Sequence, residues 1–379
     1  MLACVNQVIT YISFISFCHS FVCIILLFCA ERKKRELVKL REISFPSISV
    51  VIPTLNSSTT LSQCLSSIAS QTYPGSIEII VADGGSADDT IKIAEDFGCV
   101  VISNPLKTGE AGKAAGIKKA RGEIIALIDS DNILPESDWL VRMVRPFENP
   151  LIVAAEPIEY TYRRSDGTLT RYCALMGMND PLCYFLGNYD RYCVLSGKWT
   201  GLDIRSRDSG DFLEIELEEG KIPTIGANGF MVRKEALKIL QPRDYLFDVD
   251  MVAELVRSGM RKFAKVKIGI VHLYGKGLIS FTRKQLRRIR DFQYFKSIGL
   301  RTYEWTEGRK KGITKFILSC VTILPLIFQM IKGYSRKKDL AWSYHLPACL
   351  VTLVVYTYGY IEGIIRPRAH KRSSWYQSG

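Results

Sequence analysis

Apolar runs of strand length, each closing in polar turn residues, recur through the first third of the chain. They are Ser49-Val-Val-Ile-Pro53-Thr54-Leu-Asn56, Ile77-Glu-Ile-Ile-Val-Ala-Asp83-Gly84-Gly85-Ser86, Cys99-Val-Val-Ile-Ser103 and Gly122-Glu-Ile-Ile-Ala-Leu-Ile-Asp129-Ser130-Asp131-Asn132. Stretches with helical spacing of apolar residues separate them, the last a basic one around residues 109–121. Such alternation predicts a parallel α/β sheet. Ligands of these sheets bind beyond the carboxyl ends of the strands, so Asn56, Asp83 and Asp129 are expected at one site built from loops far apart in sequence.

The fourth run carries the most chemistry. Positions i and i+2 of a strand share a face, so Asp129 and Asp131 can turn their oxygens on one hard cation. Asp, Ser and Asn also build ordinary turns by bonding their own backbone, and the company of the other strand ends is what favours a metal site. Further along, Gly226-Ala227-Asn228-Gly229 is a turn whose glycines allow close backbone approach to a ligand. Residues Tyr245 to Gly259 read as a helix with Asp248 near its N-cap, Asp250 in its first turn and a glycine past its end. Ile268-Gly-Ile-Val-His272 reads as a strand ending in a lone histidine, open to a structural or a ligating role. The Tyr-rich segment between residues 160 and 200 interleaves amphipathic aromatics with polar groups, which suit contact with a sugar or a lipid or fill a core.

Taken in order, Val50-Val-Ile-Pro53-Thr54-Leu-Asn56, Asp83-Gly84-Gly85-Ser86, Gly122 to Asp131, and Gly226-Ala227-Asn228-Gly229-Phe-Met-Val-Arg233 resemble the family 2 glycosyltransferases, inverting enzymes that use nucleotide-sugar donors. The resemblance implies an α/β fold of the GT-A nucleotide-diphospho-sugar transferase type, a Rossmann-like mixed sheet. Its catalytic domain would cover residues 47–278, with a nucleotide-sugar half at 47–135 and an acceptor half at 136–278. By the family pattern, Pro53, Thr54 and Asn56 line the nucleotide pocket, Asp83 beside Gly84 contacts the base, and Ser130 lies on the donor. Asp129 and Asp131 hold the diphosphate through a divalent cation, Mg²⁺ or Mn²⁺, which His272 approaches. Where the family often has Arg-Asn, this chain has Lys113-Ala114, a point charge in place of a bidentate fork. The family's general base falls on Asp248, with Phe247 where Glu is usual and Asp250 as the competing carboxylate. Gly226, Ala227, Asn228 and Gly229 fall on the acceptor side. A nucleotidyltransferase or a non-catalytic nucleotide-binding module is the competing class. The Asn56-Ser-Ser-Thr-Thr turn lacks the glycines of a phosphate loop, and the presence of Asp248 argues against a dead module.

Hydropathy at both ends adds a membrane. Residues 1–30 carry no charged side chain and are followed by Arg32, Lys33, Lys34 and Arg35. That order predicts an uncleaved transmembrane anchor, a basic juxtamembrane linker at 31–46 and a cytoplasmic catalytic domain. A basic amphipathic interfacial segment is expected at 279–312, membrane helices at 313–331 and 345–365, a loop at 332–344 and a basic tail at 366–379. If both helices cross, Lys332, Arg336, Lys337 and Lys338 face outside, against the usual bias; a shallow re-entrant pair is the alternative. Gln285-x-x-Arg288-Ile289 half-matches the Gln-x-x-Arg-Trp motif of processive synthases, and the missing Trp points to a solvated basic helix instead.

The formal net charge of +13 is concentrated in clusters beside these apolar segments, so anionic headgroups rather than nucleic acid are the expected partner. The eleven cysteines form no Cys-x-x-Cys pair and are expected as reduced thiols. The expectation is therefore a multi-pass enzyme of the plasma membrane. It would pass a sugar to a lipid-linked, polyprenyl-linked or other membrane-proximal hydroxyl, with a polyprenyl-phosphate glycosyl synthase as the alternative.

Overall fold

The computed structural model describes residues 45–240, 243–275, 277–304, 306 and 308–365. The expected span at 1–30, nearly all of the basic linker and the tail at 366–379 lie outside them.

Strands β1 (Ile48–Thr54), β2 (Ile77–Asp83), β3 (Val100–Ser103) and β4 (Ile124–Leu127) alternate with helices α1 (Ser58–Ala69), α2 (Thr90–Asp96) and α3 (Gly109–Lys119). The strands pair in parallel in the order β3-β2-β1-β4. Every residue of β1 is buried, as a central strand covered on both faces requires, and its two polar side chains, Ser49 and Thr54, donate to Glu78 and Asp83. Helix α3 lies tight on β1 because it has glycines where the two touch. A Cβ on Gly112 would come within 2.7 Å of Pro53 Cβ, and one on Gly116 within 2.3 Å of Val51 Cγ1. This close approach brings Lys113 to the carboxyl edge of the sheet.

The second half adds β5 (Asn132–Ile133), α4 (Trp139–Val144), β6 (Ala154–Thr161), α5 (Thr168–Met176), α6 (Leu182–Leu186), β7 (Arg205–Asp208), β8 (Phe212–Glu216), β9 (Phe230–Arg233), α7 (Lys234–Leu237), α8 (Asp248–Arg257) and β10 (Lys262–His272). The sheet continues as β4-β9-β6-β10-β8-β7, with β5 on β10. Strand β9 runs antiparallel between β4 and β6, so the sheet is mixed, as the sequence led us to expect. Two consequences matter for the site. The 226–229 turn enters β9 beside the end of β4, where Gly229 N donates to Leu127 O at 2.9 Å. The short β5–β10 ladder sets His272 opposite Asn132.

Four helices follow: α9 (Leu278–Ser297), α10 (Lys310–Thr322), α11 (Leu324–Arg336) and α12 (His345–Ile365). Among the described residues one helical stretch, Leu340–Gly363, is long and apolar enough to cross a membrane. The expected single helix over 313–331 is instead two 13-residue helices bent by 94°. The break falls at Ile323, whose φ of 62° leaves the helical region, and Pro325 follows it. Helix α9 is not freely solvated either. Gln285 is fully buried, Arg290 pairs with Glu362 at 2.9 Å, and α12 lies along α9 with Gly359 and Gly363 against Ile289 and Gln293.

Candidate active site

The β1 and β2 ends form the rim of the expected nucleotide pocket. Their register sets Thr54 beside Asp83, and Thr54 Oγ1 donates to Asp83 Oδ1 at 2.9 Å. Ser86 Oγ donates to the same oxygen at 2.6 Å, while Gly85 N and Ser86 N each donate to Oδ2 at 2.8 Å. Burial works to raise the Asp83 carboxyl, and these bonds outweigh it and hold the group below its ordinary range. All the usual acceptor positions of Asp83 are thereby filled from within the chain, so a base-binding role would require one hydroxyl to turn away. Asn56, at φ 50°, completes the rim by accepting from Ala87 N at 2.9 Å and donating its N–H to Ser86 Oγ at 2.8 Å. Pro53 is buried under Gly112, and Gly84 N donates to Thr54 O at 2.8 Å.

Beyond β4 the charges meet. Lys113 Nζ lies 2.8 Å from Asp248 Oδ1, 3.1 Å from its Oδ2 and 3.8 Å from Asp129 Oδ1. Leu246 N donates to Glu110 O at 3.0 Å, which docks the start of α8 on the start of α3 and explains how residues so far apart in sequence meet. Burial works against the Lys113 charge, yet Asp129 and Asp248 outweigh it and hold the ammonium above its ordinary range. Burial pushes the Asp248 carboxyl up to about 6, with Asp129 and Glu110 adding to the rise against the pull of Lys113. The helix N-cap is Phe247, so Asp248 is the first helical residue and its carboxylate is bonded by Lys113 rather than by a cap.

Leu273 N donates to Asp131 O at 2.8 Å, and His272 Nε2 sits 3.4 Å from Asp131 Oδ1. Lys284 Nζ, from α9, lies 3.5 Å from Asp131 Oδ2. Burial alone would raise Asp131, but His272 and Lys284 hold it well below the carboxylate range. Ser130 Oγ donates to Ser57 Oγ at 3.1 Å, tying this turn to the start of α1. Among the described residues no three His, Cys, Asp or Glu side chains close around one point as a metal cage. Two carboxylates and an imidazole near one edge do suit a cation that takes its remaining ligands from phosphate oxygens and water, the usual habit of Mg²⁺ and its analogues.

The 226–229 turn rests on buried charge that the sequence reading did not single out. Glu156, Arg191 and Lys265 are fully buried and Asp190 nearly so. Arg191 pairs with Glu156 and, at 2.8 Å, with Asp190; Lys265 Nζ lies 2.6 Å from Glu156 Oε2. Arg191 Nη2 also donates to the carbonyls of Ala227 at 3.0 Å and Asn228 at 3.1 Å, and Gly226 N donates to Glu156 Oε1 at 3.1 Å. Asn228 Oδ1 accepts from Asn132 Nδ2 at 3.0 Å, which links the turn to the Asp129 loop. The available signal, a glutamate at 156 and a lysine at 265, was masked by the other charged residues of the same strands, Glu159 in β6 and Lys262 and Lys267 in β10.

Gly226, at φ 121°, is pressed against the α8 start: a Cβ there would fall 2.8 Å from Asp248 O. Gly226→Ala is therefore expected to shift Asp248 and lower turnover by roughly tenfold or more, with nucleotide affinity retained. Steady-state kinetics beside a binding titration checks this, and unchanged turnover would remove the turn from any role in setting Asp248.

Asp250 is not brought to the site. It accepts from Thr302 N at 2.5 Å and Tyr303 N at 3.0 Å and pairs with Arg301 at 2.7 Å, clamping the segment after α9. From α9, Gln285 Nε2 donates to Asn179 O at 2.7 Å, and the Asn179 amide meets His272 Nδ1 at 3.2 Å. Asn179 thus reaches the site through His272, a contact no sequence spacing announced.

Known proteins sort this arrangement. The family described as Glycosyl transferase family 2 matches residues 49–238. Glycosyltransferase AglE of Haloferax volcanii is 31% identical over 143 residues, covering 36% of this chain and 47% of the relative. Glycosyltransferase GlyG of Streptococcus pneumoniae is 35% identical over 133 residues, covering 33% and 43%. The chain spans about half or less of the length of these curated relatives. Among solved structures, the mannosyltransferase PcManGT from Pyrobaculum calidifontis, in complex with GDP-Man and Mn²⁺, aligns with a TM-score of 0.49 at 15% identity, covering 84% of this chain and 88% of that one. With its mixed sheet, its acidic strand end and a family match over half its length, the chain belongs to glycosyl transferase family 2.

Proposed function

We propose that the chain is an inverting glycosyltransferase that moves a sugar from a nucleotide-diphosphate sugar to a lipid-linked or other membrane-proximal hydroxyl. The reading is carried by the meeting of Lys113 with Asp248 at 2.8 Å and Asp129 at 3.8 Å at the carboxyl edge of the parallel strands. Asp129 and Asp131 would hold a divalent cation, with His272 beside them, and the cation would supply charge compensation for the leaving nucleoside diphosphate. Lys113 gives the same diphosphate a point charge from the protein. Asp248 takes the acceptor proton as the hydroxyl oxygen bonds to the anomeric carbon and the bond to the diphosphate oxygen breaks, which inverts that centre. A carboxyl raised toward neutrality is well matched to that task.

The second reading, a phosphate acceptor, draws on two cations of α9. Lys284 lies 3.5 Å from Asp131 and Arg288 3.7 Å from Asp180. Both come from α9 and would suit an anionic head.

Asp129→Asn and Asp131→Asn are expected to lose most cation-dependent affinity for nucleoside diphosphate while the protein stays folded, because each removes an anionic ligand from a site with few of them. Calorimetric titration with UDP or GDP, with and without Mn²⁺, measures this. Undiminished affinity in both variants would sink the metal assignment.

A further inference from the structure

We propose that α10 and α11 form an elbow that dips into one leaflet of an anionic bilayer and returns to the face it left. This goes beyond the transfer reaction and does not rest on the identity of the acceptor. From Phe316 to Ile331 the elbow has no charged residue, and its outward side chains are large and apolar, with Val321 69% and Phe328 71% exposed. A water-facing surface of that kind marks a contact. Exposed lysines flank it at both ends, Lys310, Lys311 and Lys315 before it and Lys332, Lys337 and Lys338 after it. Lysines bracketing an apolar stretch match a leaflet whose headgroups are anionic.

Both ends of the elbow are tied to the catalytic unit. At its entry, Gly312 lies against α6, where a Cβ would come within 2.6 Å of Phe185 O, and the Phe316 ring meets the Phe185 ring edge to face at 5.2 Å, in a buried cluster that joins Cys320 and Leu326 to Leu182 and Leu186 of α6 and to Cys349 of α12. At its exit, Arg336 Nη1 donates to Val194 O and Leu195 O, each at 2.8 Å, Asp339 lies 3.6 Å from Arg171, and the Lys337 ammonium sits 4.7 Å from the centre of the Tyr162 ring. Each arm has 13 residues, a length of about 20 Å at the helical rise. The hydrocarbon core of a bilayer is about 30 Å thick. Short arms with both ends anchored on one body can enter a leaflet but cannot cross two. The Thr322 hydroxyl is satisfied within the elbow, its Oγ1 donating to Leu318 O at 2.7 Å, as burial in lipid demands.

The seat of the elbow also reaches the site. Helix α6 lies directly after Asn179 and Asp180, and these meet His272 and Arg288. The leaflet surface is thereby held on the side of the molecule from which α9 and Asn179 close on Asp131.

The test uses the full chain reconstituted in sealed phosphatidylcholine–phosphatidylglycerol vesicles. A keto amino acid placed at Lys315, Lys338 or Arg164 is reacted with a membrane-impermeant hydroxylamine dye, a chemistry that leaves the native thiols untouched. The same residue placed at Val321 or Phe328 carries a nitroxide whose relaxation by oxygen and by a water-soluble nickel chelate reports depth. We expect positions 315, 338 and 164 to react from the same side, and 321 and 328 to be relaxed by oxygen and shielded from the chelate. Reaction of 315 and 338 from opposite sides would show a span and overturn the proposal. Chelate access at 321 and 328 would show that the elbow stays in water. Dipolar broadening between nitroxides of two chains, without lipid contact, would give the surface to a second copy of the chain. None of these readouts depends on sugar transfer, so failure here and failure of the proposed reaction are told apart.

Discussion

Asp248→Asn should lower single-turnover transfer to a hydroxyl acceptor roughly 10²–10⁴-fold, the range of general-base catalysis, while donor affinity stays near that of the parent. The amide keeps the shape and a hydrogen bond to Lys113 but cannot take a proton. The pH dependence follows from the same carboxyl. Because burial raises it to about 6, the base is protonated below that pH and ionised above it. Transfer measured as kcat/KM is therefore expected to rise with pH through about 6, and the Asn variant should lose that limb. Asp250→Asn provides the contrast. That carboxylate holds Arg301, Thr302 and Tyr303, so its loss should appear as lower thermal stability with turnover per folded molecule largely kept. If both variants transfer normally, the phosphate-acceptor reading gains, since a phosphate is already largely ionised near neutral pH and needs no base. A turnover loss confined to Asp250→Asn would mean that the wrong carboxylate has been chosen.

The half of the fold built from β1 to β4 was legible because each strand is an apolar run with a polar end, a signal read locally even in the edge strand β3, where no residue is fully buried. The same rule expects Asn56, Asp83 and Asp129 at one edge, and the strands that carry them, β1, β2 and β4, lie side by side in the sheet. Strand β9 and the two-residue β5 were not legible, since their antiparallel places in the sheet are set by partners far along the chain rather than by a local pattern. Yet β9 brings the 226–229 turn to the site, and β5 brings His272 to Asp131. The choice between Asp248 and Asp250 had a helical reason hidden in it: two residues along a helix are turned about 200° apart, so only one of them can face the site. Hydropathy counted apolar residues over 313–331 and read a helix of membrane length there. Whether the ends of that stretch are tied to one face depends on Arg336 finding the carbonyls of Val194 and Leu195 and on Gly312 packing against Phe185, and no local pattern records that.

The buried charges under the 226–229 turn carry the largest expected effect on stability. Glu156, Asp190, Arg191 and Lys265 balance as two acids and two bases in a region closed to water. Arg191→Leu removes one cation and leaves two carboxylates facing one lysine. Breaking a buried pair from one side costs about 3–5 kcal/mol, because the remaining charge is neither solvated nor paired. For a unit of this size the melting temperature should fall on the order of 10 °C. The same substitution frees the carbonyls of Ala227 and Asn228, so turnover per folded molecule should fall as well, since the turn bears on Asp248 through Gly226. Removing both partners separates the two effects. In the double variant Glu156→Leu with Arg191→Leu, Asp190 and Lys265 still balance each other, so much of the stability should return. The turn still lacks its support from Arg191, so the turnover loss should persist. Calorimetric melting of the single and double variants, read beside single-turnover transfer, measures both. Equal melting temperatures for the parent and Arg191→Leu would show that these charges are not held as a closed, water-free group.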